Sequence, residues 1–166
     1  LFFHSMKEYA FKFKDLLSQK KIIVITTHRG PVGDAMGSSL ALYNLLINLG
    51  HDVKVVTPND YASFLHWMPG NDDVIEYDGN EKLATIVTEK AELIIMLDFN
   101  SKNRLDNYSD TVFNLDTYKV LIDHHQDPDM EIADLIFSDP DSCSTAQLLY
   151  EVLDNSLLYT SPSPRD

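Results

Sequence analysis

His28, Asp34, Asp98 and His124 are scattered along the chain, yet three of them stand directly after short apolar runs, where a side chain leaves a strand for a loop. Together they offer imidazole nitrogens and carboxylate oxygens and no thiolate, a donor set that suits Mn²⁺, Mg²⁺ or Fe²⁺ better than structural zinc. Two ions fit the ligand count, with Asp98 able to bridge them. Asp123 precedes His124. It reads as the acceptor that orients this imidazole rather than as a direct ligand, because a metal-bound ring needs its other nitrogen held. A lone His or Asp at a strand end is ordinarily a hydrogen-bonded loop residue; the convergence of several is what points to an ion. Cys143 has no recognisable base to activate it and reads as a small residue near a helix start.

The elements that must position these residues follow from the hydrophobic pattern. Ile22 to Thr27 is uncharged and rich in β-branched residues, as a strand covered on both faces requires, and it ends at His28. Residues 34 to 49 place Met36, Leu40, Leu45, Leu46 and Leu49 at helical spacing, with Gly50 where a C-terminal cap glycine belongs. Val53 to Thr57 is a second strand, reached by a right-handed crossover. Residues 58 to 80 predict a packed loop with a short helix, in which His66 and Trp67 serve packing rather than ligation. A weak helix over Glu81 to Lys90 leads to the strand Leu93 to Leu97, which ends at Asp98. Val120 to Ile122 ends at Asp123, His124 and His125, and a last helix runs through Ala146, Leu149, Val152 and Leu153, capped by Asp141, Ser142 or Ser144. This order predicts a three-layer α/β/α fold with a mainly parallel sheet, whose strand C-termini share one edge.

Composition limits the partners. The chain has 166 residues, 44% of them hydrophobic, enough for one domain with a substantial core. A formal net charge of −13 opposes a phosphate backbone over most of the surface and argues against duplex nucleic acid as a partner. Gly37 to Gly50, free of charge, is shorter than the roughly 20 apolar residues of a membrane span and is interrupted by Ser38, Ser39, Asn44 and Asn48. No membrane partner is expected. The single cysteine allows no internal disulfide, and Lys7, Lys12 and Lys14 break up the N-terminal aromatics, so a cytoplasmic location is expected. Residues 1 to 19 read as a helical lead-in. Its first five residues precede Met6 and are expected to be read-through or a cut edge. Residues 157 to 166 share no period with the preceding helix and resemble a translated sequencing adapter, so they are expected to be foreign to the protein.

The run His28-Arg29-Gly30-Pro31-Val32-Gly33-Asp34-Ala35-Met36-Gly37-Ser38-Ser39, the strand ending at Asp98, and Asp123-His124-His125 together resemble the DHH phosphoesterase family, which includes RecJ-like exonucleases. The resemblance covers residues 20 to 156, read as a partial catalytic domain. It is strongest to the bacterial branch that degrades very short oligoribonucleotides and dephosphorylates 3′-phosphoadenosine 5′-phosphate. It implies two divalent cations, manganese first: His28 and Asp98 for one, Asp34, Asp98 and His124 for the other. His125 would face the substrate phosphate, with Asp123 beside it in the catalytic group. Arg104 stands where relatives often carry an arginine, so it is either a substrate contact or a surface ion pair. Ser144 and Thr145 match a Ser/Thr-rich helix start and read as capping residues.

Two departures matter. Val32 stands where the family carries an aspartate, and a valine cannot coordinate, so the first cation position is degenerate. A fourth motif and a smaller C-terminal substrate-binding domain are absent from the chain, which as written is expected to be inactive. The resemblance thus implies a phosphoric ester hydrolase acting on short single-stranded RNA or a nucleotide through water activated by two metals. A non-catalytic nucleotide-binding protein, an inorganic pyrophosphatase and a cyclic-dinucleotide phosphodiesterase are the alternatives, and a homodimer is left open.

Overall fold

In the computed structural model, residues 2–156 and 158 are described, and the stretch read as foreign lies, apart from Leu158, outside them. Six strands form one sheet in the order β3-β2-β1-β4-β5-β6, and every neighbouring pair is parallel. The strands are β1 (Ile22–Thr27), β2 (Asp52–Thr57), β3 (Ile75–Glu76), β4 (Leu93–Leu97), β5 (Tyr118–Asp123) and β6 (Leu135–Ser138). The helices are α1 (Phe2–Leu16), α2 (Gly33–Asn48), α3 (Glu81–Glu89), α4 (Ser109–Phe113) and α5 (Thr145–Asn155).

Alternation along each strand divides the core in two, because successive side chains point to opposite faces of a sheet. Ile23 and Ile25 of β1 and Leu93, Ile95 and Leu97 of β4 pack with Phe13 of α1, Met36 and Leu46 of α2, and Leu149 and Val152 of α5. On the other face, Val24, Ile94, Met96 and Leu121 pack with Ala84 of α3, Val112 of α4, and Leu105 and Tyr108 between β4 and α4. Each such fully buried aliphatic side chain contributes about 1.5–3 kcal/mol relative to exposure. The central strands are apolar on both sides for this reason, and the molecule is a three-layer α/β/α sandwich.

The connections also carry the sequence logic. Gly50 ends α2 with φ +92°, a left-handed conformation that a glycine adopts without penalty. Ser144 caps α5, its Oγ accepting from the amide of Gln147 at 3.0 Å. Residues 58–80 hold two 3₁₀ turns, Ser63–Leu65 and Asn71–Asp73, and the two-residue strand β3. Here the packing assignment needs correction: Trp67 is 78% exposed and His66 also lies at the surface, its ring edge-on to Tyr61. Tyr61 and Leu65 are the side chains that this loop buries. Strand β6 is absent from the sequence reading. Its four residues sit between Asp134 and Asp139, and they become a strand only through the ladder with β5.

Candidate metal centre

The strand order reverses direction between β1 and β4, which are neighbours joined to opposite halves of the sheet. In open parallel sheets that is where a crevice opens at the strand C-termini. Thr27 is in register with Leu97, so the residues that follow, His28 and Asp98, emerge side by side. Leu97 is in register with Ile122, and Asp123, His124 and His125 follow on the far side of Asp98. Asp34 comes from the first turn of α2, immediately after β1.

Asp98 is the centre of the group. It is buried, and its backbone adopts φ +68°, a left-handed conformation that aspartate tolerates better than most residues. Its Oδ2 lies 3.5 Å from His28 Nε2, while its Oδ1 lies 3.7 Å from His124 Nε2 and 3.9 Å from His125 Nδ1. Asp34 Oδ2 lies 3.8 Å from the same His124 Nε2. The structure therefore brings His28, Asp34, Asp98 and His124 to one place, with the two oxygens of Asp98 divided between the two imidazoles.

Backbone carbonyls determine the tautomers. His28 Nδ1 donates to the carbonyl of Arg29 at 2.7 Å, and His124 Nδ1 to that of Ser142 at 3.2 Å. A carbonyl can only accept, so each Nδ1 carries a hydrogen and each neutral ring turns the lone pair of Nε2 toward Asp98. Burial alone would push the His28 pKa down, but contact with Asp98 and the bond to Arg29 outweigh it and hold the pKa above the usual imidazole value. Burial would likewise raise Asp98, yet the contacts from His28 and Thr145 hold this carboxyl below the ordinary aspartate range.

Asp123 departs from its expected partner. Its Oδ1 accepts from His125 Nδ1 at 2.6 Å, whereas His124 takes the Ser142 carbonyl instead. Asp123 is fully buried at the end of β5 and so orients His125, leaving the Nε2 lone pair of that partly exposed ring for other contacts. Sequence reasoning missed Ser142 because a carbonyl has no residue signature. It also underrated Thr145, whose hydroxyl donates to Asp98 Oδ1 at 2.9 Å and whose amide donates to Asp34 Oδ2 at 2.8 Å. The amide of Ala146 donates to Asp34 Oδ1 at 2.9 Å. Asp34 thus accepts two amides at the start of α5, where the helix dipole favours an anion.

The remaining candidates lie at the rim. Val32 is 55% exposed and occupies the N-cap position of α2, where it offers no acceptor. Arg104 is exposed and its carbonyl accepts from the Arg29 amide at 2.8 Å; its charge opposes protonation of His28. The surface ion pair there belongs to Arg29, with Asp106 at 2.6 Å, and not to Arg104. Cys143 is exposed and its thiol donates to Gln147 Oε1 at 2.7 Å.

Ligand atoms about 2.1 Å from a common ion stand roughly 3.0–3.4 Å apart. The separations of 3.5–3.8 Å found here are a few tenths of an ångström wider and longer than hydrogen bonds. Among the described residues Asp98, His124 and His125 form the group whose ligand atoms all lie within 4.8 Å of one another, with His28 in contact with Asp98 and Asp34 in contact with His124; these nitrogen and oxygen donors suit divalent cations of that preference.

The family described as DHH family, N-terminal domain, matches residues 22–164. Over 132 residues the chain is 31% identical to the bifunctional oligoribonuclease and PAP phosphatase NrnA of Thermus thermophilus, a match covering 80% of this chain and 36% of that protein. The crystal structure of an exopolyphosphatase-related protein from Bacteroides fragilis superposes with a TM-score of 0.87 at 35% identity, covering 90% of this chain and 44% of the other. The exonuclease RecJ bound to manganese superposes with a TM-score of 0.55 at 18% identity, over 91% of this chain and 37% of that one, a likeness of fold. The chain therefore spans less than half the length of each of these relatives.

Proposed function

Since the chain belongs to the DHH family, we propose that it forms the metal-binding part of a phosphoric ester hydrolase acting on short oligoribonucleotides, 3′-phosphoadenosine 5′-phosphate, or both. The observation that carries the reading is the division of one buried carboxylate between two imidazoles, Asp98 Oδ2 to His28 and Oδ1 to His124, with both rings locked in the tautomer that exposes Nε2. His28 and Asp98 would hold one divalent cation, and Asp34, Asp98 and His124 a second. Manganese is the first candidate, ahead of Mg²⁺ or Fe²⁺. Such ions supply Lewis acidity that makes hydroxide available near neutral pH and offsets charge on phosphoryl oxygens.

The chain's own groups do the rest. His125, held through Nδ1 by Asp123, presents Nε2 toward the phosphate of a substrate seated at the sheet edge and can donate a hydrogen bond to it when protonated. On this reading Arg104, exposed beside the site, would be a substrate contact. A mono- or dinucleotide is small enough for these local groups to outweigh the acidic surface. On this reading the protein acts in the cytoplasm on single-stranded or monomeric nucleotides.

Val32 supports a second reading, because an exposed aliphatic residue at the α2 N-cap leaves the His28 side with two donors. On that reading the protein binds nucleotides without hydrolysing them. The two separate in one assay: the chain, carried in a protein of its relatives' full length, and the Val32→Asp variant of that protein are incubated with Mn²⁺ and a ribodinucleotide, and in parallel with 3′-phosphoadenosine 5′-phosphate. Release of mononucleotide or phosphate, stronger in the variant, supports hydrolysis. Calorimetric nucleotide binding with no product from either protein supports the binding module, and neither binding nor turnover discards both.

A further inference from the structure

Thr145 is fully buried at the first position of α5 and touches two carboxylates that come from elsewhere in the chain. Its hydroxyl donates to Asp98 Oδ1, and its amide donates to Asp34 Oδ2. Those two oxygens are the ones that face His124 Nε2, at 3.7 and 3.8 Å. The oxygen of Asp98 that faces His28, Oδ2, makes no bond to Thr145. One residue thus addresses both carboxylate oxygens on the His124 side and neither donor on the His28 side.

We propose that Thr145 is a positioning residue that fixes the rotation of the Asp98 carboxylate and so sets the affinity of the His124-side cation position. The inference rests on the metal-dependent reading above. Its physical basis is the softness of the aspartate χ2 torsion, which is broad and roughly two-fold, so nothing intrinsic to the side chain fixes the angle of the carboxylate plane. A hydroxyl carries one hydrogen, and donating it to the oxygen beside His124 holds the carboxylate plane at the angle that keeps one oxygen beside His124 and the other beside His28. The second contact of Thr145 is through its backbone and survives any substitution that keeps α5 folded. The contribution of the hydroxyl can therefore be isolated from the helix cap, which belongs to the side chains of Ser144 and Asp34.

The test uses Mn²⁺ titrations of the chain followed by the paramagnetic resonance signal of the free ion, with a metal-free thermal midpoint for every variant. Partners that orient metal ligands are typically worth about 10–100-fold in metal affinity. Thr145→Val should weaken Mn²⁺ binding by that factor, and Thr145→Ser, which keeps the hydroxyl, should bind as the parent does. The loss should persist in a His28→Ala background, because the contacts lie on the other side of Asp98. Thr145→Ala is read in the same way as the valine, so one folded hydroxyl-free variant decides. A lowered thermal midpoint with unchanged Kd would show a merely structural hydroxyl and overturn the proposal. So would loss of affinity in the serine variant, or a loss that vanishes when His28 is removed. If the parent chain takes up no Mn²⁺ at all, the metal-dependent reading falls and this inference with it.

Discussion

The amide of Thr145 and the carboxylate of Asp34 are 2.8 Å apart across 111 positions of sequence, so the start of α5 is capped by a residue of α2. With the Ala146 amide on the other oxygen, Asp34 satisfies two of the donors that a helix N-terminus leaves without intrahelical partners. The contact joins α2, which packs on β1, to α5, which packs on β5, beside the site.

Asp34→Ala is expected to destabilise the metal-free chain by about 1–2 kcal/mol, the usual range for losing a cap together with a charge at a helix N-terminus. The loss measured by urea unfolding should shrink at high salt, since the charge component is screened. Equal stability of variant and parent at low salt would show that the two amides find other acceptors.

Val32→Asp brings two opposed effects to the same place. An aspartate at the N-cap of α2 stabilises by about 1 kcal/mol, whereas a third carboxylate near Asp34 and Asp98 repels them in the absence of cations. The metal-free unfolding midpoint is expected to move little. Mn²⁺ affinity should rise by at least about 10-fold, because a new ligand contributes no less than an orienting partner does. A variant that gains stability without gaining Mn²⁺ would place residue 32 outside the metal centre.

Asp98→Asn keeps a side chain that tolerates the left-handed backbone at φ +68° and removes the charge. Burial is the largest influence on His28 and acts downward, so once the contact with Asp98 is lost the pKa should fall from above to below the ordinary imidazole value. A histidine-resolved NMR titration of the metal-free variant measures this. A His28 pKa that stays raised would mean that the Arg29 carbonyl, and not Asp98, holds the proton.

His51 makes stability depend on pH away from the metal centre. Its Nδ1 accepts from the amide of Lys21 at 3.2 Å, so the folded state requires the ring nitrogen without a hydrogen, and burial and the nearby Lys21 charge lower its pKa. The unfolded chain therefore takes up this proton first as pH falls. The stability is fully present above about pH 6.5 and is lost as pH drops through that value toward the lower folded pKa, with a slope of up to about 1.4 kcal/mol per pH unit. Thermal midpoints of the parent and His51→Gln, recorded from pH 7.5 to 5, should converge or cross as pH falls. Parallel curves would mean that His51 titrates alike in both states.

Much of the architecture is legible in the residues, because the signals are local. The runs Ile22 to Thr27 and Leu93 to Leu97 are apolar on both faces and declare buried parallel strands before any partner is known. A polar residue directly after such a strand must lie at the C-terminal edge, so the gathering of His28, Asp98 and His124 follows from strand direction alone. β3 and β6 escape the same reasoning. Two and four residues carry too little periodicity, and each is a strand only because a longer neighbour supplies its ladder. Trp67 misleads for a related reason: its composition argues for burial, but the loop closes around Tyr61 and Leu65 and leaves the indole outside.

The residue types and their order along the chain determine the fold class, the edge at which chemistry can occur and the nitrogen and oxygen donors offered there. Only the folded chain decides which nitrogen faces which oxygen. Asp123 binds His125 and not the adjacent His124, the Ser142 carbonyl selects the His124 tautomer, and Thr145 reaches both Asp98 and Asp34. Strand and helix patterns arise from interactions between near neighbours and are written in the periodicity of the sequence. Side-chain rotation and hydrogen-bond partnership depend on groups that folding brings together from distant segments.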